Sequence, residues 1–375
     1  MKIQNLLPLF FAPFVLNAQT KNIATDNRQV TELDKMVQKE AMAYMQNPAR
    51  VGISIGIIKD GKSYFYNYGT TEIGKSDLPT SKSLYEIASI SKTFTGTLLA
   101  HALIDGKIKM DDDIRKYING NYPNLEFEKQ PVTIGNLTNH SSGLPQFLPD
   151  QSETFKKPMD SVAMALANFY KNYSKKKFDE DLHQAKIDFV PGTQYRYSNV
   201  GTQIAGDILE NVYHKSYGEL LSEYITKPLK MNQTIVGTNS VHLLTCYNDK
   251  GKVMPKNFTT IFAPAGGILS TTGDLVKYMQ YHLNESDNYV NVSHTPLVKA
   301  DEDGDAIGLY WRVHTYKDGT KTVYHTGGTF GFSSVLQIYP SQNMGVVILS
   351  NESDGESQGK LYNIAENILR NSSKK

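Results

Sequence analysis

The sequence predicts an α/β protein of the α+β type. We expect an antiparallel sheet built from both ends of the chain and flanked by helices, with an inserted, mainly helical domain. Strand patterns accompanied by a helix occur near each end, and helical patterns dominate between them. The 375 residues, 39% hydrophobic and 21% charged, have ordinary globular composition and can bury a large core. We therefore predict a sheet domain from residues 19–80 and 251–375 and a helical domain from residues 81–250, with the functional site at their junction.

Residues 1–18 have the features of a secretory signal peptide. Lys2 supplies a positive charge, the apolar run Leu6–Leu16 is too short to span a bilayer comfortably, and Ala18 is a plausible last residue before cleavage. No cysteine follows the apolar run, and the sequence has no second long apolar stretch. We therefore expect a secreted or periplasmic protein that keeps no stable membrane anchor after the signal is removed.

The following segments predict a helix and then a hairpin. Thr31–Gln46 carries apolar residues at helical spacing. "VGISIGII" (Val51–Ile58) and "SYFYNYG" (Ser63–Gly69) have strand patterns separated by the turn "KDGK". Amphipathic patterns in the middle of the chain, such as "GTQIAGDILENVY", predict helices. Strand patterns return in "TVYHTGG", "FSSVLQIYP" and "MGVVILSN", and a last helix is predicted over about Ser357–Leu369.

Charge and cysteine content argue against several classes of function. The formal net charge is +1, so nothing favours nucleic acid or an acidic membrane as a partner. Cys246 is the only cysteine, so no intramolecular disulfide can form, and we expect its thiol to be buried.

Three short motifs suggest functions that their surroundings do not support. "GISIG" (Gly52–Gly56) matches the nucleophile elbow and "GIIKDGKS" (Gly56–Ser63) matches the phosphate loop, but both motifs need a strand–turn–helix context and both fall in the predicted hairpin. "DEDGDAIG" (Asp301–Gly308) resembles a calcium loop, but Ala306 stands where glycine is required and Arg312 where the bidentate acid would be. We predict no metal and no cofactor, and nucleotide binding rests on the phosphate-loop match alone.

"EIASISKTFTG" (Glu86–Gly96) contains a candidate nucleophile with a candidate base. A serine hydroxyl needs a neighbouring base to attack a carbonyl at neutral pH. Residues three apart share a helix face, so Ser89 meets Lys92, whereas Ser91 points about 100° away from Lys92. At a helix start, free amides would also favour negative charge near Ser89. The spacing selects Ser89, although a capping serine beside a solvated lysine would leave the same short pattern.

Two further motifs support the catalytic interpretation. "YRYSNVG" places Tyr197 and Asn199 two residues apart, and "HTGG" (His325–Gly328) lies between two strand patterns. With "SISK", the motifs "YSN" and "HTG" resemble the S-x-x-K, Y-x-N and K-T-G or H-x-G motifs of the serine β-lactamase and penicillin-binding-protein superfamily, in the same order. The nearest resemblance is to the class C β-lactamase-like branch, with its DD-peptidase, D-aminopeptidase and esterase relatives. It spans nearly the whole mature chain and implies the two-domain fold described above.

The resemblance implies a role for each motif residue. Ser89 would form an acyl-enzyme. Lys92, crowded by the site and partly desolvated, would have a lowered pKa and exchange protons with Ser89 and Tyr197. Tyr197 would act as general base and then acid, with its pKa lowered by nearby cationic character from Lys92. Asn199 would donate to the substrate amide and fix the Lys92 head. The oxyanion hole would consist of the backbone N–H groups of Ser89 and Gly328. Thr326 would hydrogen-bond a substrate carboxylate, and Gly327 would let the substrate lie close against the strand. His325 would contact substrate from the family's lysine position; an unperturbed histidine becomes charged only below about pH 6.5, so its hold on a carboxylate would be weaker and pH-dependent.

The substrate stays open at this point. Histidine rather than lysine at position 325 is more typical of the peptidase, aminopeptidase and esterase branches, so we expect cleavage of amide bonds in D-amino-acid peptides together with penicillin binding. A class C-like β-lactamase, a carboxylesterase and a non-catalytic protein of the same fold are the alternatives. All three enzymatic hypotheses require a small-molecule or peptide substrate.

Overall fold

The structure is a computed structural model that describes residues 21–237, 242–256, 261–299 and 305–372. The predicted signal peptide lies outside these residues. The helices are α1 Glu32–Met45, α2 Ser91–Ile104, α3 Ile134–Thr138, α4 Ser152–Phe155, α5 Met159–Tyr170, α6 Lys175–Leu182, α7 Asn199–Tyr213, α8 Tyr217–Leu221, α9 Ala263–Gly266, α10 Thr272–His282, α11 Asn288–His294 and α12 Ser357–Ser372. The strands are β1 Gly52–Lys59, β2 Lys62–Gly69, β3 Tyr85–Glu86, β4 Glu126–Phe127, β5 Gln130–Pro131, β6 Ile235–Val236, β7 Tyr247–Asn248, β8 Ile268–Ser270, β9 Val298–Lys299, β10 Ala306–Ile307, β11 Arg312–Thr315, β12 Lys321–Gly328, β13 Ser333–Tyr339, β14 Met344–Ser350 and β15 Glu352–Ser353.

The main sheet joins the two ends of the chain. In the described residues it has eight strands in the order β2-β1-β14-β13-β12-β11-β10-β9, and the neighbouring strands pair antiparallel. The N-terminal strand β1 lies directly against the C-terminal strand β14, with Ile55 opposite Ile348. The predicted fold class, an antiparallel sheet from both termini flanked by helices, is confirmed.

Both faces of the central strands are covered by helices, which explains their nearly continuous apolar sequences. Ile53, Ile55 and Ile57 on one face of β1 share a buried cluster with α1 and α12. On the other face the sheet meets α10 so closely that a Cβ at Gly56 would lie 2.7 Å from a methyl of Val276. Alternate residues of a strand point to opposite faces, so a strand covered on both sides carries few polar residues.

The β1–β2 hairpin turns at Asp60 and Gly61, whose φ angles are 50° and 74°. Both residues are therefore left-handed, as a two-residue type I′ turn requires. The segment that matches the phosphate loop is thus a hairpin, and Ser54 of the elbow-like motif is buried inside β1. Of the calcium-like motif, residues 301–304 lie outside the described chain.

Helix α2 is the core of the helical part. Its residues from Ser91 to Ala100 are buried, because α7, α9 and α11 pack around it. Helices α7 and α9 approach so closely that a Cβ at Gly206 would lie 2.2 Å from the ring of Pro264. This contact holds α9 against α2, so that the backbone of α9 reaches the functional site. Across the described residues, no helix is both long and apolar enough to span a bilayer.

Candidate active site

Ser89 lies in a short turn that leads from β3 into α2. Residues Ala88–Ile90 form a 3₁₀ turn, and α2 begins at Ser91. Ala88 has φ 48°, a left-handed value that is costly for a residue with a side chain and that often accompanies functional sites. The turn continues into the helix, so the three-residue spacing still brings Ser89 and Lys92 together, as predicted. Ser91 instead accepts a hydrogen bond from the Ile268 N–H at 3.2 Å.

Lys92 is fully buried and surrounded by oxygen atoms. Its Nζ lies 3.2 Å from Ser89 Oγ, 2.8 Å from Asn199 Oδ1 and 2.5 Å from the carbonyl oxygen of Ala265. Burial lowers the pKa of Lys92 far below its ordinary value, which favours the neutral amine. A neutral amine has two hydrogens and one lone pair. The Asn199 and Ala265 oxygens can only accept, so they take the two hydrogens, and the lone pair is left for the Ser89 hydroxyl.

Tyr197 completes the arrangement around the serine. Its hydroxyl donates to Ser89 Oγ at 2.8 Å, so Ser89 accepts from Tyr197 while it donates to Lys92. We expected the charge of Lys92 to lower the pKa of Tyr197, and this expectation is wrong. Burial raises the pKa of Tyr197, and its hydrogen bond to Ser89 offsets this only in part. Lys92 is fully buried and the Tyr197 phenol is desolvated within a partly buried side chain, so both favour their neutral forms.

His325, Thr326, Gly327 and Gly328 form the C-terminal half of β12. In the described chain these residues pair with β13 but extend past the end of β11, whose pairing with β12 stops at Tyr324. This half of β12 therefore presents an open edge. Alternate residues face opposite sides of the strand, so Thr326 and Gly328 share one face and are more exposed than His325 and Gly327.

His325 is neutral in this setting. Burial is the main cause that lowers the pKa of His325, to about 3. Its Nδ1 lies 2.6 Å from the carbonyl oxygen of Thr326, and a carbonyl only accepts, so Nδ1 carries the proton. The expectation that His325 would bind a carboxylate through a charge that appears below about pH 6.5 is therefore wrong, because the buried ring has no room for solvent to stabilise that charge.

Gly327 is required because strand β12 packs at this position against the turn that carries Ser89 (the Ser89 turn, Ala88–Ile90). A Cβ at this position would lie 2.5 Å from the Ile87 carbonyl oxygen, 2.5 Å from Ser334 Oγ and 3.0 Å from the Ser89 amide nitrogen. The Ser334 hydroxyl also donates to Ile87 O at 3.0 Å. The missing side chain thus brings β12 next to the Ser89 amide. We had expected it to make room for substrate, and the structure shows that the space is occupied by the protein itself.

Three groups near the site were not predicted from the sequence. The Ala265 carbonyl gives no sequence signal, because any residue could supply it. His140 was visible only as part of "LTNHSSGLP"; its Nδ1 accepts from the Ser198 N–H at 3.3 Å and its ring lies 4.4 Å from that of Tyr197. Arg312 lies on β11 and donates to Tyr195 Oη at 3.2 Å. Burial has the largest influence on the pKa values of His140, His325 and Tyr197, and the charge of Arg312 also acts to lower each of them. The Arg312 guanidinium is therefore within electrostatic reach of the site.

A cleft with a volume of about 600 Å³ opens beside Ser89. It is bordered by Ser89, Gln146, Asn199 and Gly328, and it continues along α4 and α5. Cys246 is buried, as predicted, and burial raises the pKa of its thiol to about 12, so it is a packing residue. Among the described residues, no group of three or more His, Cys, Asp and Glu side chains is arranged to hold a metal ion.

Fold and site together define a protein of the serine acyl-transfer class, with a serine held between a buried lysine and a partly buried tyrosine. The family model described as "Beta-lactamase" matches residues 37–368, and the chain belongs to this family. It is a serine hydrolase, as the sequence predicted, and the predicted resemblance is confirmed.

Individual relatives come from different branches of the family. The chain is 27% identical over 314 residues to the D-alanyl-D-alanine-carboxypeptidase/endopeptidase AmpH of Escherichia coli (strain K12), covering 80% of this chain and 78% of the relative. It is 26% identical over 372 residues to a beta-lactamase of Pseudomonas fluorescens, covering 88% and 94%. A beta-lactamase/D-alanine carboxypeptidase structure from Yersinia pestis superposes with a TM-score of 0.75 at 24% identity, covering 90% of this chain and 98% of that one. A class C beta-lactamase structure gives a TM-score of 0.76 at 23% identity, covering 92% and 96%. These structures establish the fold.

Proposed function

We propose that this protein is a secreted or periplasmic serine peptidase that forms an acyl-enzyme at Ser89 and cleaves amide bonds in D-amino-acid peptides. We propose an enzyme of the carboxypeptidase or aminopeptidase type, and we expect penicillin to acylate Ser89 because it mimics a D-amino-acid peptide. The observation that carries the proposal is the hydrogen-bond order around Ser89 Oγ, which accepts from Tyr197 at 2.8 Å and faces Lys92 Nζ at 3.2 Å. The domain division given above, with the site at the junction, belongs to the same proposal.

In the proposed mechanism, the neutral amine of Lys92 takes the Ser89 hydroxyl proton as Oγ attacks the substrate carbonyl carbon. The oxyanion accepts from the backbone N–H groups of Ser89 and Gly328, and each such donor contributes about 3–4 kcal/mol in related sites. Tyr197 gives its phenol proton to the leaving nitrogen as the C–N bond breaks. The ammonium of Lys92, whose nitrogen lies 4.9 Å from the ring centre of Tyr197, restores the phenol. A water molecule then attacks the ester with these roles reversed.

Arg312 supports a substrate that ends in a carboxylate. A terminal carboxylate on the leaving group would be bound best by a permanent positive charge, and His325, being neutral, does not supply one. Arg312 lies on the strand next to β12, pairs in register with Tyr324, and its charge reaches Tyr197 and His325. A guanidinium binds a carboxylate through two parallel hydrogen bonds. We propose that Arg312 binds the terminal carboxylate of the leaving D-amino acid, and the similarity to AmpH supports this choice.

Beta-lactam hydrolysis is the second candidate, and the similarity to the Pseudomonas fluorescens beta-lactamase favours it. The two functions share acylation at Ser89 and differ in how quickly the ester formed by a β-lactam is hydrolysed. Fast release of hydrolysed penicillin would indicate a β-lactamase, and a long-lived adduct would indicate a peptidase that penicillin inhibits.

Intact-mass spectrometry tests the proposal. The mature protein is exposed separately to benzylpenicillin, a D-Ala-D-Ala peptide, a D-amino-acid amide and a short-chain aryl ester, and adduct mass and lifetime are recorded. We expect Ser89→Ala to lose every adduct. Ser91→Ala is the matched control, because Ser91 is two residues away and bonds to the Ile268 amide instead of Lys92, and it should keep the adducts. An adduct in Ser89→Ala would exclude Ser89 as the nucleophile.

A further inference from the structure

The cleft beside Ser89 lies on one side of the nucleophile. Its lining includes Ser89, Asn199 and Gly328 but, among the described residues, not Tyr197, His325 or Arg312. In the proposed mechanism Tyr197 protonates the leaving group, so the leaving group must lie on the Tyr197 side. The other substituent of the carbonyl carbon, the acyl part of the substrate, then extends into the cleft.

The wall of the cleft away from Ser89 is apolar and largely aromatic. Phe147 and Phe155 have ring centres 5.5 Å apart, and Tyr170 and Phe262 likewise 5.5 Å apart. Between them α5 contributes small or aliphatic side chains, Ala163, Leu166 and Ala167. The small side chains leave room and the rings form the walls. The volume of about 600 Å³ is far larger than an acetyl or alanyl group needs and lies within the range of pockets that enclose whole organic ligands.

The charges at the rim disfavour an anionic acyl group. Three carboxylates line the cleft, those of Asp160, Asp249 and Asp354, with the single lysine Lys256 among its described residues. Asp354 lies 2.8 Å from Arg50, whose charge is already compensated inside the protein by a second carboxylate, that of Glu352, at 2.5 Å. Asp160 is balanced by Lys250 at 3.6 Å, so the rim keeps a small net negative charge that disfavours a further carboxylate, and the apolar wall cannot solvate one.

We infer that the substrate of this enzyme carries a bulky, uncharged, apolar group on its acyl side, aryl or medium-length aliphatic, and that the cleft formed by α4, α5 and Phe262 binds this group. The inference rests on the proposed acylation of Ser89 and names the acyl specificity of that reaction. A polar peptide would not suit this cleft, because its many hydrogen-bonding groups would lose water against the aromatic rings without finding partners.

Two matched substrate series test the inference. N-acyl-D-Ala-D-Ala peptides and N-acyl-D-alanine thioesters are prepared with the same acyl groups: acetyl, hexanoyl, phenylacetyl and succinyl. The thioesters keep the acyl part and replace the amide by a better leaving group. Burial of one methylene changes a rate constant by about fourfold, so we expect kcat/KM for hexanoyl and phenylacetyl substrates to exceed that for acetyl by about tenfold or more, and succinyl to fall below hexanoyl. Equal kcat/KM for all four acyl groups would overturn the inference.

A variant pair assigns the preference to the cleft. Phe155 lines the cleft and is 41% exposed, whereas Phe169 is 42% exposed and lies outside the lining. Phe155→Ala should reduce the hexanoyl-to-acetyl ratio by about threefold or more, chiefly through KM, and Phe155→Ala with Phe147→Ala should reduce it further. Phe169→Ala should leave the ratio as in the wild type. Urea midpoints show whether each variant is folded, and identical ratios in folded Phe155→Ala and Phe169→Ala would contradict the assignment.

The series also separate this inference from the proposed function. Thioester turnover with the apolar preference, but without peptide turnover, would contradict the peptidase proposal and support the acyl specificity. Peptide turnover without the apolar preference would support the peptidase proposal and contradict the acyl specificity. Failure of both series to acylate Ser89 would overturn both.

Discussion

Substitution of Gly327 by alanine should lower activity sharply and should cost about 1–3 kcal/mol of unfolding free energy, as overpacking of a close contact does. The added Cβ would lie 2.5 Å from Ile87 O and Ser334 Oγ, whereas ordinary van der Waals contact begins at 3.4 Å. Strand β12 and the Ser89 turn must therefore separate by about 0.9 Å. Misplacement of reacting groups by about 1 Å can cost about 100-fold in rate, and loss of one oxyanion donor costs about 100- to 1,000-fold in kcat. Because β12 carries the Gly328 N–H and Ile87 precedes the Ser89 turn, we expect kcat to fall by about 100-fold or more.

The assay compares kcat and KM for an N-acyl-D-alanine thioester, with urea unfolding to measure stability. Gly218→Ala is the matched control: a Cβ there would meet no atom within 4 Å, and alanine should stabilise helix α8 by about 0.5–1 kcal/mol. We expect the control to keep wild-type kcat. A folded Gly327→Ala protein with wild-type kcat would refute the argument that the spacing of β12 and the Ser89 turn positions the oxyanion donors.

Three other predictions concern charge. Arg312→Gln should raise KM for D-Ala-D-Ala peptides about tenfold or more and leave the C-terminally amidated peptides unchanged, whereas equal effects on both would argue against carboxylate binding. His282 and His294 are buried side by side, with His282 Nδ1 3.1 Å from His294 Nε2. Burial lowers the pKa values of both, so the folded state holds them neutral. The free energy of unfolding should therefore be fully retained above about pH 6.5 and should fall below that pH by up to about 1.4 kcal/mol per pH unit for each histidine. A pH-independent urea midpoint between pH 7 and pH 5 would contradict this. Glu352→Gln should cost about 1.5–3 kcal/mol of unfolding free energy, because it removes the charge from a buried hydrogen bond with Arg50 while Asp354, 2.8 Å from Arg50, remains as a counter-charge. Glu356→Gln, whose carboxylate is 74% exposed, should cost less than about 0.5 kcal/mol.

The elements of the fold could be predicted from the sequence where local patterns were strong. The hairpin of β1 and β2 follows from alternating and apolar runs around "KDGK", and its turn has the left-handed residues that such a turn needs. The serine could also be chosen locally, because a three-residue spacing in a helical or 3₁₀ turn brings Ser89 to Lys92 and sends Ser91 to Ile268. Such patterns reflect backbone geometry, which does not depend on distant residues.

The protonation states could be predicted only in part. The lowered pKa of Lys92 was expected from crowding and desolvation, and the structure agrees, but a lowered pKa of Tyr197 and a histidine at 325 that becomes charged in mild acid were expected as well. In the structure desolvation raises the pKa of Tyr197 and lowers that of His325, so both shift toward the neutral form. The oxygens that accept the two hydrogens of Lys92 come from positions 107 and 173 residues away along the chain. No local pattern reports the burial that such distant contacts produce.

The sequence by itself determined the family, the fold class and the identity of the motif residues, because spacing and residue type are sufficient for these. Only the tertiary structure decided that the pKa of Tyr197 is raised, that Gly327 allows strand β12 and the turn carrying Ser89 to touch, and that the cleft is lined with aromatic rings from α4, α5 and the segment before α9. The physical reason is that desolvation and close packing depend on which distant segments meet: the fold brings the Ala265 carbonyl to Lys92 and the Phe262 ring into the cleft.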